Sequence, residues 1–137
     1  MNTDLTALIK YRMEQAHDTM QEAEILFEKH ALRGTINRAY YAMFYALLAL
    51  LATKKLGTSK HSGAISLFDR EFVKHDIFSK EMSKFLRIAF DRRQTGDYGE
   101  IIEFDKEIAQ ETIDNAKVFI FEIERYLINS RFLSDDL

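Results

Sequence analysis

The chain has 137 residues, of which 47% are hydrophobic and 30% charged, with no proline, cysteine or tryptophan. That length is one domain; the apolar share excludes a disordered chain, and the missing cysteine excludes disulfides, a thiolate nucleophile and a cysteine zinc site. The net charge of −3 divides unevenly, residues 1–28 summing to −4, 29–93 to +8 and 94–137 to −7, a basic middle that suits either an anionic ligand such as a nucleotide or RNA, or basic and acidic helices paired across the fold.

From Asp4 to about Lys29, residues Leu5, Ile9, Met13, Ala16, Met20, Ala23 and Phe27 recur at steps of four and three, one helical stripe facing a core. Leu32-Arg33-Gly34 reads as the turn that follows, and Thr35 as the N-cap of a second helix running to about Lys55. Within it AYYAMFYALLALLA, residues 39–52, is an unbroken apolar and aromatic run. It is shorter than the ~20 residues of a membrane span, so no membrane association is expected. A helix apolar on every side is most simply the central one.

Gly57-Thr58-Ser59 breaks the pattern, and a short third helix follows with Ala64, Ile65, Phe68 and Phe72 inward. His75-Asp76 reads as a turn, after which Phe78, Met82, Phe85 and Ala89 mark a fourth helix. Gly96-Asp97-Tyr98-Gly99 reads as a tight loop. The last helix is expected from near Phe104 to about Arg131, with Ala109, Thr112, Ala116, Phe119, Ile123 and Tyr126 on one stripe. The fold expected is all-α, an up-and-down bundle of four long helices plus one short helix over residues 1–132, ending in a polar tail at 133–137. The N-terminus lacks a basic run followed by an apolar stretch, so a cytoplasmic location is expected.

Three polar groups are left over from this core pattern. Asn37-Arg38 precedes the aromatic run, in which Tyr41 and Tyr45 share a face. A buried arginine there needs a carboxylate or a phosphate; an internal bridge to Asp91 or Asp97 is the alternative to a ligand. Lys60-His61-Ser62 sits near a helix start, where an anion can bind, although an ordinary helical first turn explains it equally. Arg92 and Arg93 point about 100° apart on a helix, so one can pair with a carboxylate while the other meets phosphate; complementing the helix dipole is the competing account. The four histidines, His17, His30, His61 and His75, show no ligand spacing, and no phosphate-cradling glycine loop occurs, so neither a metal site nor a bound cofactor is expected.

Asn37 to Tyr45, Lys60-His61-Ser62-Gly63 with Phe68, and Arg92/Arg93 leading to Asp97-Tyr98 together resemble the HEPN family (higher eukaryote and prokaryote nucleotide-binding domain), in its small stand-alone prokaryotic branch. The resemblance covers roughly the whole chain. It implies a helical bundle that is usually a homodimer, with a minimal nucleotidyltransferase as frequent partner, often as a toxin–antitoxin pair. Many relatives are metal-independent endoribonucleases whose motif is an arginine followed four to six residues later by a histidine, two copies meeting across a dimer cleft. This chain departs from that motif: across four residues Arg93 reaches Tyr98 and Arg92 reaches Asp97. Two readings result. In one, Asn37, Arg38, Tyr41, Tyr45, Lys60, His61, Ser62, Arg92 and Arg93 bind a nucleotide or RNA phosphate. In the other, Arg93 with Asp97, Tyr98 or His61 cleaves RNA without a metal. A structural bundle with no ligand is the third alternative.

Overall fold

The computed structural model describes residues 3–58, 60–97 and 105–134, except the side chains of 96 and 97. Five helices appear in chain order: α1 (Thr3–Glu28), α2 (Leu32–Ala52), α3 (His61–Phe68), α4 (Lys80–Asp97) and α5 (Lys106–Asn129). A π-helical turn, Asp69–Val73, extends α3. No strand occurs among the described residues. The central position expected of the second helix holds: α2 touches α1, α3, α4 and α5, and Tyr40, Met43, Leu47, Leu50 and Leu51 on it are fully buried. No described helix is long and apolar enough to cross a membrane.

The helix ends explain how a chain with five glycines and no proline makes its turns. His30, Lys55, Asp76 and Arg131 each adopt a left-handed backbone, with φ between 57° and 64°. After each, the next amide bonds five residues back: Ala31 to Leu26, Leu56 to Leu51, Ile77 to Phe72 and Phe132 to Leu127. This is the six-to-one bond of a Schellman C-cap, with an apolar residue just beyond the left-handed position.

Gly34 therefore does not end the first helix, as its sequence context suggested. His30 takes that place, and α2 begins four residues earlier than expected, with Ala31 rather than Thr35 as its N-cap residue and the Thr35 hydroxyl donating back to the Ala31 carbonyl at 2.9 Å. Gly34 serves close packing instead, since a Cβ there would come within 3.2 Å of the Leu26 side chain on α1. Gly96 and Asp97 likewise continue α4 rather than opening a loop, while Tyr98 and Gly99 lie outside the described residues. The last helix starts at Lys106, capped by the Asp105 carboxylate, which accepts from the Ile108 amide at 2.8 Å. The expected fourth-helix stripe shifts slightly, because Leu86 is fully buried and Phe85 only partly. Asp69 ties the π turn to α4, accepting from the Ser83 hydroxyl at 2.5 Å and pairing with Arg87.

Candidate functional site

The C-terminal end of α4 and the start of α3 meet the polar face of α2. Arg38 and Arg93 are separated by 55 positions, yet both converge on one aromatic ring. The Arg38 guanidinium carbon lies 5.1 Å from the Tyr41 ring centroid and that of Arg93 lies 5.3 Å from it. Arg93 also donates to the Tyr41 hydroxyl at 2.9 Å and sits 5.9 Å from the Tyr40 ring. Arg38 is oriented by Asn37, whose Oδ1 accepts from Nε at 3.0 Å and Nη2 at 2.8 Å. Its carboxylate neighbour is Glu22, at 3.6 Å, not Asp91. With the two side chains 34% and 55% exposed, that pair is weakly bound and open to solvent.

His61, the first residue of α3, completes the cluster. Its ring stacks on Phe44, with centroids 4.2 Å apart and planes 6° apart, and meets the Tyr41 ring edge-on at 5.7 Å. Its Nδ1 lies 2.6 Å from the hydroxyl of the fully buried Tyr40. Burial, followed by the nearby Arg93 charge, lowers the His61 pKa below the ordinary histidine value, so the imidazole is neutral at neutral pH. Burial pushes the Tyr40 pKa upward against the opposing pull of Arg93, keeping the phenol protonated. With Tyr40 donating to Nδ1, the other ring nitrogen carries a proton that can be given to an anion. In the opposite tautomer that nitrogen is a base.

The local sequence builds this arrangement. Asn37, Tyr40, Tyr41, Phe44 and Tyr45 follow helical spacing on one side of α2. Lys60, extended at φ −95° and ψ 126°, is the N-cap residue of α3 and turns His61 inward. Its amide donates to Thr58 Oγ1 at 3.1 Å, and Gly63 packs closely there, since a Cβ would come within 3.2 Å of that oxygen.

A family description, HEPN domain, matches residues 9–126. The chain belongs to the HEPN family. A UPF0332 protein of Thermotoga maritima is 41% identical over 120 residues, covering 88% of this chain and 91% of that protein. Two proteins of Methanocaldococcus jannaschii, named "Putative toxin MJ0142" and "Putative toxin MJ0605", are each 32% identical. The first alignment covers 90% of this chain and 84% of the relative, the second 93% and 94%.

In this HEPN chain Asn37, Arg38, Tyr41, His61 and Arg93 come together. Tyr45 flanks them, its ring 6.3 Å from that of Tyr41. Arg92 points elsewhere: it donates to Thr112 Oγ1 at 3.0 Å and pairs with Glu111 at 2.7 Å, both on α5. Arg92 is thus the arginine of the pair that meets a carboxylate. Lys60 and Ser62 are exposed at the start of α3. The side chain of Asp97 and all of Tyr98 lie outside the described residues. Tyr40 is the site residue that sequence reasoning missed. Its spacing of three from Asn37 and four from Phe44 was the available signal, masked by a run in which every residue looks like core.

Proposed function

We propose that this HEPN protein is one half of a toxin–antitoxin-type pair, binding the phosphate of a nucleotide or RNA through Arg38 and Arg93 and associating with a minimal nucleotidyltransferase. The observation that carries the phosphate reading is the convergence of two guanidinium groups from different helices on the Tyr41 ring. Both lie just over 5 Å from its centroid, which sets the two charges within about 10 Å of each other. The two like charges repel each other at that range, and the exposed Glu22 carboxylate 3.6 Å from Arg38 offsets only part of it. A phosphate between them replaces that repulsion with two charge-assisted hydrogen-bonding partners. Asn37 preorganises Arg38, and the stacked His61 offers a neutral N–H donor. The toxin half of the reading is supported by the names of the two M. jannaschii relatives.

Titration with ATP and with a short RNA tests the reading. Saturable, salt-sensitive binding that Arg93→Ala weakens and Arg92→Ala leaves nearly intact is the expected result. Co-purification with the product of a neighbouring nucleotidyltransferase reading frame tests the partner. A second reading, metal-independent RNA cleavage, is favoured by the neutral His61 held by Tyr40 near Arg93, because an uncharged imidazole can take the proton of a 2′-hydroxyl. Incubation with RNA in EDTA separates the two: cleavage lost in both His61→Ala and Arg93→Ala supports the enzyme, whereas binding without cleavage supports the binder.

A further inference from the structure

The central helix is open along one line only. From Thr35 to Ala52 every residue of α2 is buried except Asn37, Arg38, Tyr41, Tyr45 and Leu48. Steps of three and four set the last four of these in a single row along the helix. The row has an order. It begins at Arg38, to which α4 adds Arg93, passes through Tyr41, and runs on away from both charges as Tyr45 and Leu48, an uncharged aromatic and aliphatic stretch.

The two half-buried tyrosines of this row are not equivalent. The Tyr41 ring is taken up by the two guanidinium groups, and its hydroxyl accepts from Arg93 at 2.9 Å. Tyr45, one turn on, meets the Tyr41 and Phe44 rings at 6.3 and 6.5 Å, tilted by 38° and 57°, so neither ring lies flat on it. Its hydroxyl makes no hydrogen bond among the described residues, whereas that of Tyr40 is committed to His61. Four residues of helix are about 6 Å of rise, roughly the span of one ribose between a phosphate held by Arg38 and Arg93 and a flat ring laid on Tyr45. A pair of cations followed by an aromatic ring is the order in which a nucleotide presents its phosphate and its base.

We propose that Tyr45 is a nucleobase platform. The inference rests on the phosphate reading and narrows it: the ligand is a nucleoside phosphate with an unpaired base, which stacks on Tyr45 while the sugar passes Tyr41. Leu48 extends the apolar floor beyond the ring. Aromatic stacking recognises the face of a base and not its edges, so the platform discriminates a nucleotide from a bare sugar phosphate far more than one base from another.

Titration of the full chain with AMP and with ribose 5-phosphate, which lacks the base, provides the test. Wild type should bind AMP about fivefold or more tighter than ribose 5-phosphate. Tyr45→Leu should abolish that difference and leave ribose 5-phosphate binding where it was, while Arg93→Ala weakens both ligands. Because the chain has no tryptophan, Tyr45→Trp introduces a single indole at the platform. Its emission should be quenched by AMP and by a tetra-adenylate strand, the tighter of which names the free nucleotide or the strand as ligand, and left unchanged by ribose 5-phosphate. A circular-dichroism melt checks that each variant is folded, and the tryptophan variant carries the test alone if Tyr45→Leu does not fold. Equal affinity of wild type for AMP and ribose 5-phosphate, with both weakened by Arg93→Ala, overturns the platform and leaves the phosphate reading standing. Emission from Tyr45→Trp that saturating AMP leaves unchanged overturns it as well. If neither compound binds, both readings fall.

Discussion

Replacing Tyr40 by Phe removes one oxygen from the centre of the site and leaves the ring in place, with its neighbours Tyr41, Phe44 and Phe90 at 5.4, 6.2 and 5.8 Å. The hydroxyl bonds to His61 Nδ1 at 2.6 Å, so the change costs that bond and leaves a half-buried ring nitrogen without its partner. An ordinary hydrogen bond is worth about 1 kcal/mol net, and an orphaned buried partner about 1–3 kcal/mol. Because His61 is only partly buried, water offsets some of the loss, and about 1–2 kcal/mol is expected. At ~2.1 cal/mol/K per residue, a chain of 137 residues has an unfolding entropy of about 0.29 kcal/mol/K. The melting temperature should then fall by about 3–7 °C. A second signature appears at alkaline pH. Tyr40 in the fold holds its proton above the ordinary tyrosine value of 10.0, whereas the unfolded chain releases it there. Wild-type stability therefore drops above pH 10 by up to about 1.4 kcal/mol per pH unit from this group, a component that Tyr40→Phe removes. Thermal melts of both proteins between pH 7 and 11 measure both effects. A Tm change under 1 °C with identical alkaline limbs would refute the placement of Tyr40 against His61.

Further expectations concern charge and capping. Because Arg93 helps hold the His61 pKa down, Arg93→Ala should raise it, read from the imidazole proton shifts in an NMR titration; an unchanged titration would mean that the two groups are not neighbours. The same lowered pKa means that the unfolded chain binds a proton the fold resists, so stability should decline as pH falls below about 6.5. That acid loss should be smaller in His61→Asn, as urea melts at pH 5 and 7 would show. Asp105→Ala, which removes the carboxylate bonded to the Ile108 amide, should cost about 1 kcal/mol by urea denaturation, and a cost near zero would contradict the cap.

The bundle was legible in the sequence because long helices write their buried faces at steps of three and four. Ala16, Ala23, Ala109 and Ala116, fully buried in the structure, all sit on the expected stripes. Gly34 was misread for a specific reason: a glycine that ends a helix and one that lets two helices approach look the same in a sequence, and the left-handed turn fell to His30, which carries no strong signal. The α4 end was misread likewise, since Gly96 and Asp97 read as a loop yet remain helical. The site was legible as a set of residues but not as an arrangement. The pairing of Tyr40 with His61 spans 21 positions and that of Tyr41 with Arg93 spans 52, distances over which only the packing of α2 against α3 and α4 decides what meets.

The most direct measurement of the central claim is the affinity of the purified chain for a fluorescein-labelled short RNA and for ATP at several salt concentrations, with Arg38→Ala and Arg93→Ala alongside. Each substitution should weaken binding and lower the slope of log K against log salt by about one. Absence of saturable binding to either ligand, or binding that both substitutions leave unchanged, would contradict it.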